Sequence, residues 1–289
     1  MSRYVVVSPV RNEEEYARHT LISMVEQTLR PVQWVIVDDG STDQTAAIVR
    51  DFATKHDWIK LISLADRGYY FPGTGVVEVF NQGLVAIDSP DWTHVVKLDM
   101  DLSFPPTYFE LLMQKFKEDP KLGVASGLTV TLVNGVWTPD KVQPDHPVGP
   151  SKVYRRACFE AMGGLLPVPG WDLADTLGAQ MHAWTTRVFP DLKVNHYRVS
   201  GVRRGGAWKR SLLQGSFEYR HGYRFFYTLI KALRNIAQPP KVIGGIGRIV
   251  GFILAAWRRD VYLFPADMRA YLRQKQLRIL LKFGRRVDV

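Results

Sequence analysis

The 289-residue chain has a single cysteine, Cys158. That excludes an internal disulfide framework and any zinc or iron–sulfur centre built from cysteines of this chain, and it suits a reducing compartment. Long apolar runs are also missing. The longest, Val242 to Trp257, falls short of the roughly 20 residues a membrane span needs and carries Arg248 inside it. Near the start only Tyr4 to Val7 is apolar before charges arrive, so no signal peptide is expected. No G-x-x-x-x-G-K-[ST] phosphate loop occurs. The glycines at 73–75 and 244–247 do not complete G-x-G-x-x-G after a strand; they read as a loop and as helix-packing residues. The segment 68–75, aromatic with glycine hinges, could close over a ligand.

Acidic residues are scarce in one region only. Residues 201–289 carry 19 Lys+Arg and four acids, a net +15, whereas residues 1–200 sum to −5. An acidic body joined to a basic region implies two functional parts, the second facing an anionic surface. Composition leaves open whether that surface is nucleic acid, phospholipid or a phosphorylated substrate.

What is present reads as alternating strands and helices. Strands are expected at Tyr4–Val7, Trp34–Val37, Ile59–Leu64 and His94–Leu98. Helices are expected at Glu13–Gln27, Thr42–Lys55 (capped by Ser41 or Thr42) and Val77–Ala86. This is the pattern of βαβ units in a parallel sheet, whose strand C-terminal ends form a ligand-binding edge. The edge receives Pro9, Asp38, Asp39, residues 64–67, Asp99 and Asp101. Further on, a helix is expected at Tyr108–Lys117, a strand at Gly123–Val133 and a loop over Val136–Pro150, which holds four prolines. A helix at Asp172–Ala183 and a strand at Arg187–Val194 follow. Beyond the Arg203–Gly206 linker, Tyr219, Tyr223, Phe226, Ile230, Leu233 and Ala237 form one helical stripe flanked by Arg220, Arg224, Lys231 and Arg234. An apolar helix over Val242–Trp257 and an arginine-rich terminal helix complete the basic region.

Asp99 and Asp101, one residue apart at a strand end, repel each other unless a cation or donor lies between them. Mg²⁺ or Mn²⁺ with a substrate diphosphate is the natural occupant.

At residues 4 to about 198 the chain resembles the family 2 glycosyltransferases. The motifs are Ser8-Pro9-Val10-Arg11-Asn12-Glu13, the Val37–Asp43 turn, Asn81-Gln82-Gly83-Leu84, the D-x-D at Asp99–Asp101, and Tyr154-Arg155-Arg156 before Gly163-Gly164. The resemblance implies an α/β GT-A fold, with a Rossmann-like, mostly parallel sheet flanked by helices. It implies a catalytic domain at 1–200 (nucleotide part about 1–101, acceptor part about 102–200) and a basic helical region at 201–289. It also implies that Pro9, Val10, Arg11 and Glu13 border the base and ribose of a nucleotide-sugar donor, and that Asp38 accepts a hydrogen bond from the base. Arg67 would approach the diphosphate, Asp99 would face ribose and metal, and Asp101 would bind Mn²⁺ or Mg²⁺, with His196 as a third ligand. The catalytic base would be Asp172, counted back from Ala183-Trp184, with Asp175 in reserve; Trp171 stands where the family has Glu, and Ala183 where it has Gly.

The expected activity is metal-dependent, inverting sugar transfer from a nucleotide donor, UDP-linked, to an acceptor hydroxyl, such as that of a lipid-linked glycan. The rival readings are a sugar-phosphate nucleotidyltransferase, which should carry a glycine-rich turn after the first strand, and a nucleic-acid-binding protein using the basic region. No nucleic acid is expected as partner. The apolar stripe beside arginines favours peripheral attachment to an anionic membrane, on the cytoplasmic face.

Overall fold

The computed structural model describes residues 3–66, 73–198, 206–234 and 241–284. The chain divides into two compact units, 1–200 and 201–289. The first opens with β1 (Tyr4–Val10), α1 (Ala17–Val25), β2 (Gln33–Asp38), α2 (Thr45–Lys55), β3 (Ile59–Ser63), α3 (Thr74–Val85) and β4 (His94–Leu98). It continues with β5 (Leu102–Ser103), α4 (Tyr108–Glu118), β6 (Leu122–Val133), β7 (Val136–Pro139), β8 (Ser151–Arg155), α5 (Arg156–Ala161), α6 (Trp171–Met181) and β9 (Thr185–His196).

All nine strands join one sheet in the order β3-β2-β1-β4-β8-β6-β9-β5, with β7 paired to β6. The first four are mutually parallel; β8 runs antiparallel to β4 and β6, and β5 antiparallel to β9. Both faces are covered, which is why β1 and β2 read as unbroken apolar runs rather than alternating ones. Val6, Trp34, Ile36 and Val96 pack under α1, α2 and α4, while Val5, Val7 and Val95 pack under α3, α5 and α6. Gly83 lets α3 lie flat on the sheet, since a Cβ there would stand 2.4 Å from Val7.

Strands β1, β2 and β3 progress to one side and β4 lies on the other. A crevice therefore opens between the C-terminal ends of β1 and β4. The residues after Val10 and Leu98 border it.

Several expectations need correction. Helix α2 begins at Thr45, not under a Ser41 or Thr42 cap; Asp43 Oδ1 accepts the Thr45 N–H at 2.9 Å. The expected loop after Val133 begins as a strand, β7, on the edge of β6, where Pro139 is tolerated. Strands β5 and β8 and helix α5 were not foreseen. The segment 68–75 expected as a loop falls largely on 67–72, outside the described residues, as does Arg67; its last two residues, Thr74 and Gly75, already belong to α3.

The second unit contains α7 (Ala207–Arg220), α8 (Phe225–Arg234), α9 (Lys241–Trp257) and α10 (Ala266–Gly284). The single stripe expected from Tyr219 onward is split between α7 and α8. The chain turns at Gly222 (φ 83°), a left-handed conformation that glycine adopts without steric cost; Ala237 lies outside the described residues. Helices α7 and α9 pack at close range: a Cβ on Gly251 would meet the Leu212 carbonyl at 2.0 Å, and one on Gly215 the Arg248 carbonyl at 1.9 Å. Gly247 faces Ser211. Of the glycines at 244–247 expected to pack helices, Gly247 does so against Ser211 and Gly245 against Ala232; Gly215 and Gly251 were not foreseen in this role.

Candidate active site

Two turns at the sheet edge are stitched together. Asn12, at φ 53°, accepts the Thr42 N–H on its Oδ1 (2.9 Å), and its own N–H donates to Ser41 Oγ (3.0 Å). The Glu13 N–H donates to Thr45 Oγ1 at 2.7 Å, and Glu14 Oε2 accepts the Gln44 N–H at 2.9 Å. Arg11 spans the same edge, donating to the Asp39 carbonyl and pairing with Asp66, both at 2.8 Å. Asp38 is buried at the end of β2, and its Oδ1 accepts the Ser41 N–H at 3.0 Å. Gly40 (φ 69°) completes the turn, where a Cβ would meet Asp66 Cα at 2.5 Å. The two sequence motifs thus form one rigid rim beside Pro9 and Val10.

Across the crevice, Asp101 is nearly buried. Its Oδ2 lies 3.3 Å from His196 Nε2, while its Oδ1 is buried without a hydrogen-bond partner. Pairing of Leu102 with His196 in the β5–β9 ladder brings these side chains together from 95 positions apart in sequence. Burial pulls the His196 imidazole down. The Asp101 hydrogen bond and charge, with Asp99 and Asp140, outweigh it and hold His196 above its ordinary value. Glu13 is pushed up to about 8 by burial and by Asp101, against the Arg198 guanidinium 2.6 Å away, with Asp99 and Asp43 adding to the rise.

Asp99 behaves differently from Asp101. Its carboxylate pairs with Lys97, a buried strand lysine that also donates to the Gly149 carbonyl at 3.2 Å. Desolvation raises Asp99 overall, with Lys97 opposing and Asp101 adding to the rise. Asp99, Asp101 and His196 do not form a joint three-ligand cluster. Among the described residues no group of three or more His, Cys, Asp or Glu is placed to hold a metal alone. The orphaned Asp101 oxygen beside an imidazole nevertheless fits a divalent ion whose remaining ligands are diphosphate oxygens.

Helix α6 supplies the other two acids. Asp172, in its first turn, has a side chain 45% exposed, with His146 Nε2 at 3.9 Å. Asp175 is sealed inside. It accepts from Lys152 Nζ at 2.7 and 3.0 Å and from the Tyr154 hydroxyl at 2.5 Å. Burial lifts its carboxyl, and Lys152 and Tyr154 oppose that. Trp171 separates the two lysine–aspartate pairs, its ring 5.1 Å from Lys97 Nζ and 5.5 Å from Lys152 Nζ.

Lys152 and His146 were not singled out in the sequence, and Lys97, Tyr154 and Arg198 were given no role of their own there. A lysine inside an apolar strand (Val95-Val96-Lys97-Leu98) is itself a signal, since a buried charge needs a partner.

Comparisons with known proteins fit this geometry. The family model described as Glycosyl transferase family 2 matches residues 5–163. Poly-beta-1,6-N-acetyl-D-glucosamine synthase of Staphylococcus epidermidis is 30% identical over 116 residues, covering 40% of this chain and 26% of the synthase. Glycosyltransferase GlyA of Streptococcus pneumoniae is 32% identical over 91 residues, covering 31% of this chain and 13% of that protein. The chain thus spans about a quarter or less of these curated relatives. Among solved structures, a mannosyltransferase from Pyrobaculum calidifontis in complex with GDP-Man and Mn²⁺ superposes with a TM-score of 0.55 at 18% identity. That match covers 93% of this chain and 84% of that one. TarS 1–349 of S. aureus in complex with UDP-GlcNAc gives 0.54 at 21% identity, covering 73% and 65%. The fold is of the GT-A type, as expected. With the family model matching more than half of its length, the chain belongs to glycosyl transferase family 2.

Proposed function

We propose that this protein is a metal-dependent, inverting glycosyltransferase that moves a sugar from a nucleotide donor to an acceptor hydroxyl. The observation that carries the reading is the Lys97–Trp171 contact. It joins Asp99, at the donor edge, to the residue preceding Asp172, so a strand-end acid and an exposed carboxylate stand on either side of one lysine–indole contact.

Pro9, Val10, Arg11 and Asp38 border the nucleotide on the stitched rim, with Glu13 beside them and Arg67 toward the diphosphate. Asp101 and His196 would hold Mn²⁺ or Mg²⁺, and Asp99, paired to Lys97, faces the ribose. A divalent ion there supplies charge neutralisation for the departing nucleoside diphosphate. Asp172 takes the acceptor proton, because it alone of the two α6 acids is open to solvent. Asp175, Lys152 and Tyr154 form a rigid base under the helix start and position it. A UDP-linked donor is supported by TarS, crystallised with UDP-GlcNAc, and an N-acetylglucosamine unit by the name of the synthase relative.

The acceptor we propose is a lipid-linked glycan, with the C-terminal unit lying peripherally on the cytoplasmic face of an anionic membrane. No helix among the described residues is long and apolar enough to cross one. Of the 20 large apolar side chains exposed among the described residues, 14 lie in the C-terminal unit, Trp257, Val261 and Leu281 being the most open. So much apolar surface on a basic helical unit suits an interface.

The test of transfer is a thermal-shift screen of UDP-, GDP- and dTDP-sugars with and without Mn²⁺, followed by a transfer assay on the stabilising donor. A shift that needs both nucleotide and metal is expected; no shift with any donor overturns the reading. Co-sedimentation with anionic and neutral liposomes tests the membrane part. Equal partitioning onto both, or onto neither, removes it.

A further inference from the structure

The C-terminal unit contains a cavity of about 610 Å³ that catalysis does not use. That volume is within the roughly 300–1,000 Å³ of small-molecule pockets. Rings from three helices, among them Tyr219, Phe226 and Phe252, and Leu277 and Leu280 of α10 line it. Its charged lining residues are both arginines, Arg224 and Arg273.

These arginines are oriented rather than merely exposed. Arg224 Nε donates to the Arg273 carbonyl at 3.3 Å, and Arg273 Nε donates to the Gly222 carbonyl at 2.9 Å. The Arg224 backbone N–H is fixed by Gln276 Oε1 at 3.0 Å. Among the described residues neither guanidinium pairs with a carboxylate. Their Nη groups stay available, in the planar fork that suits phosphate. Phe225, Phe226 and Leu277, each 40% exposed or more, form an apolar threshold to the cavity.

An apolar chamber with two unpaired, pre-oriented cations selects an anionic amphiphile. Neither half alone would suffice: a neutral hydrocarbon leaves the arginines unused, and a free anion leaves the chamber wet. We infer that the cavity binds a single-chain lipid phosphate, with its chain among the rings and its headgroup on Arg224 and Arg273. The inference rests on the C-terminal unit alone, so it stands or falls independently of sugar transfer.

The test is calorimetric titration of the full-length chain with dodecyl phosphate below its micellar concentration, without any sugar nucleotide. Saturable binding at one site is expected, with dodecanol and inorganic phosphate each about tenfold weaker or more. Arg224→Gln should weaken dodecyl phosphate about tenfold, and Leu280→Trp, which fills the chamber, should abolish binding while circular dichroism is unchanged. No saturable binding overturns the proposal. So does dodecanol binding as tightly as dodecyl phosphate, or inorganic phosphate doing so. If either variant unfolds, the three-ligand comparison on the unaltered chain still decides. Binding that survives Leu280→Trp in a folded protein places the lipid elsewhere and overturns the assignment.

Discussion

The Lys97 ammonium stands 5.1 Å from the centre of the Trp171 indole, with the same ring 5.5 Å from Lys152. One aromatic residue therefore partitions two buried cations, each already committed to its own aspartate. Removing the ring opens a void between them. Trp171→Ala should cost about 3–5 kcal/mol of stability, seen as a lowered melting temperature, and should reduce kcat more than donor affinity. Trp171→Phe, which keeps a ring in place, should recover most of both; a Phe variant no better than Ala would argue against the partition.

The two acids of α6 should respond oppositely. Asp172→Asn should abolish transfer and leave nucleotide affinity and melting temperature nearly intact, because its side chain is open and its proposed role is toward the acceptor, not the donor. Asp175→Asn leaves Lys152 buried beside a neutral partner and should cost about 3–5 kcal/mol. Denaturant titration of both variants checks this. An Asp172→Asn enzyme at full rate would remove that residue from catalysis.

Asp101→Asn keeps the side-chain shape and removes the charge. Nucleotide affinity measured with and without Mn²⁺ should then become metal-independent. Metal dependence of unchanged size would move the ion away from Asp101 and His196.

Glu13 carries a pH signature. Its carboxyl is raised from about 4.5 to about 8, chiefly by burial, so between those values the folded state holds a proton that the unfolded chain has lost. Stability contributed by this proton is complete below about pH 4.5 and falls away as pH rises through 8. Melting temperatures of the metal-free protein should decline across that window, and Glu13→Gln should flatten the decline. An identical slope in the variant would exclude Glu13 as its source.

Ala183 sits at φ 62° just past the end of α6, where Trp184 N–H reaches back to the Ala179 carbonyl. The left-handed backbone costs a residue with a Cβ roughly 1–2 kcal/mol, and glycine returns about 0.5–1 kcal/mol of that through its freer unfolded state. Ala183→Gly should therefore raise stability by up to about 1 kcal/mol, measured by denaturant midpoint.

The same residue shows what could be read in advance. Ala183 adopts the left-handed turn that glycine favours, although the residue there is not glycine. The βαβ half was legible because buried parallel strands such as Val5–Val7 and Val35–Val37 carry unbroken apolar runs. Strand β8 was not, since Ser151-Lys152-Val153-Tyr154-Arg155 looks half charged. Only the fold reveals that Lys152 is paid for by Asp175, 23 positions later. The split between α7 and α8 was hidden for another reason: the apolar spacing continues across Gly222 as though the helix did.

The meeting of Asp101 with His196, and of Glu13 with Arg198, has a temporal consequence. Their partners arrive with β9, the last strand of the first unit, after every other strand has been synthesised. Contacts of such long sequence separation are slow to form, because the intervening loop must be closed first. A nascent chain could shape its nucleotide rim while still lacking the groups that would gather an ion beside it. The Asp101–His196 and Glu13–Arg198 pairs are thus incomplete until the end of β9 has joined the sheet between β6 and β5.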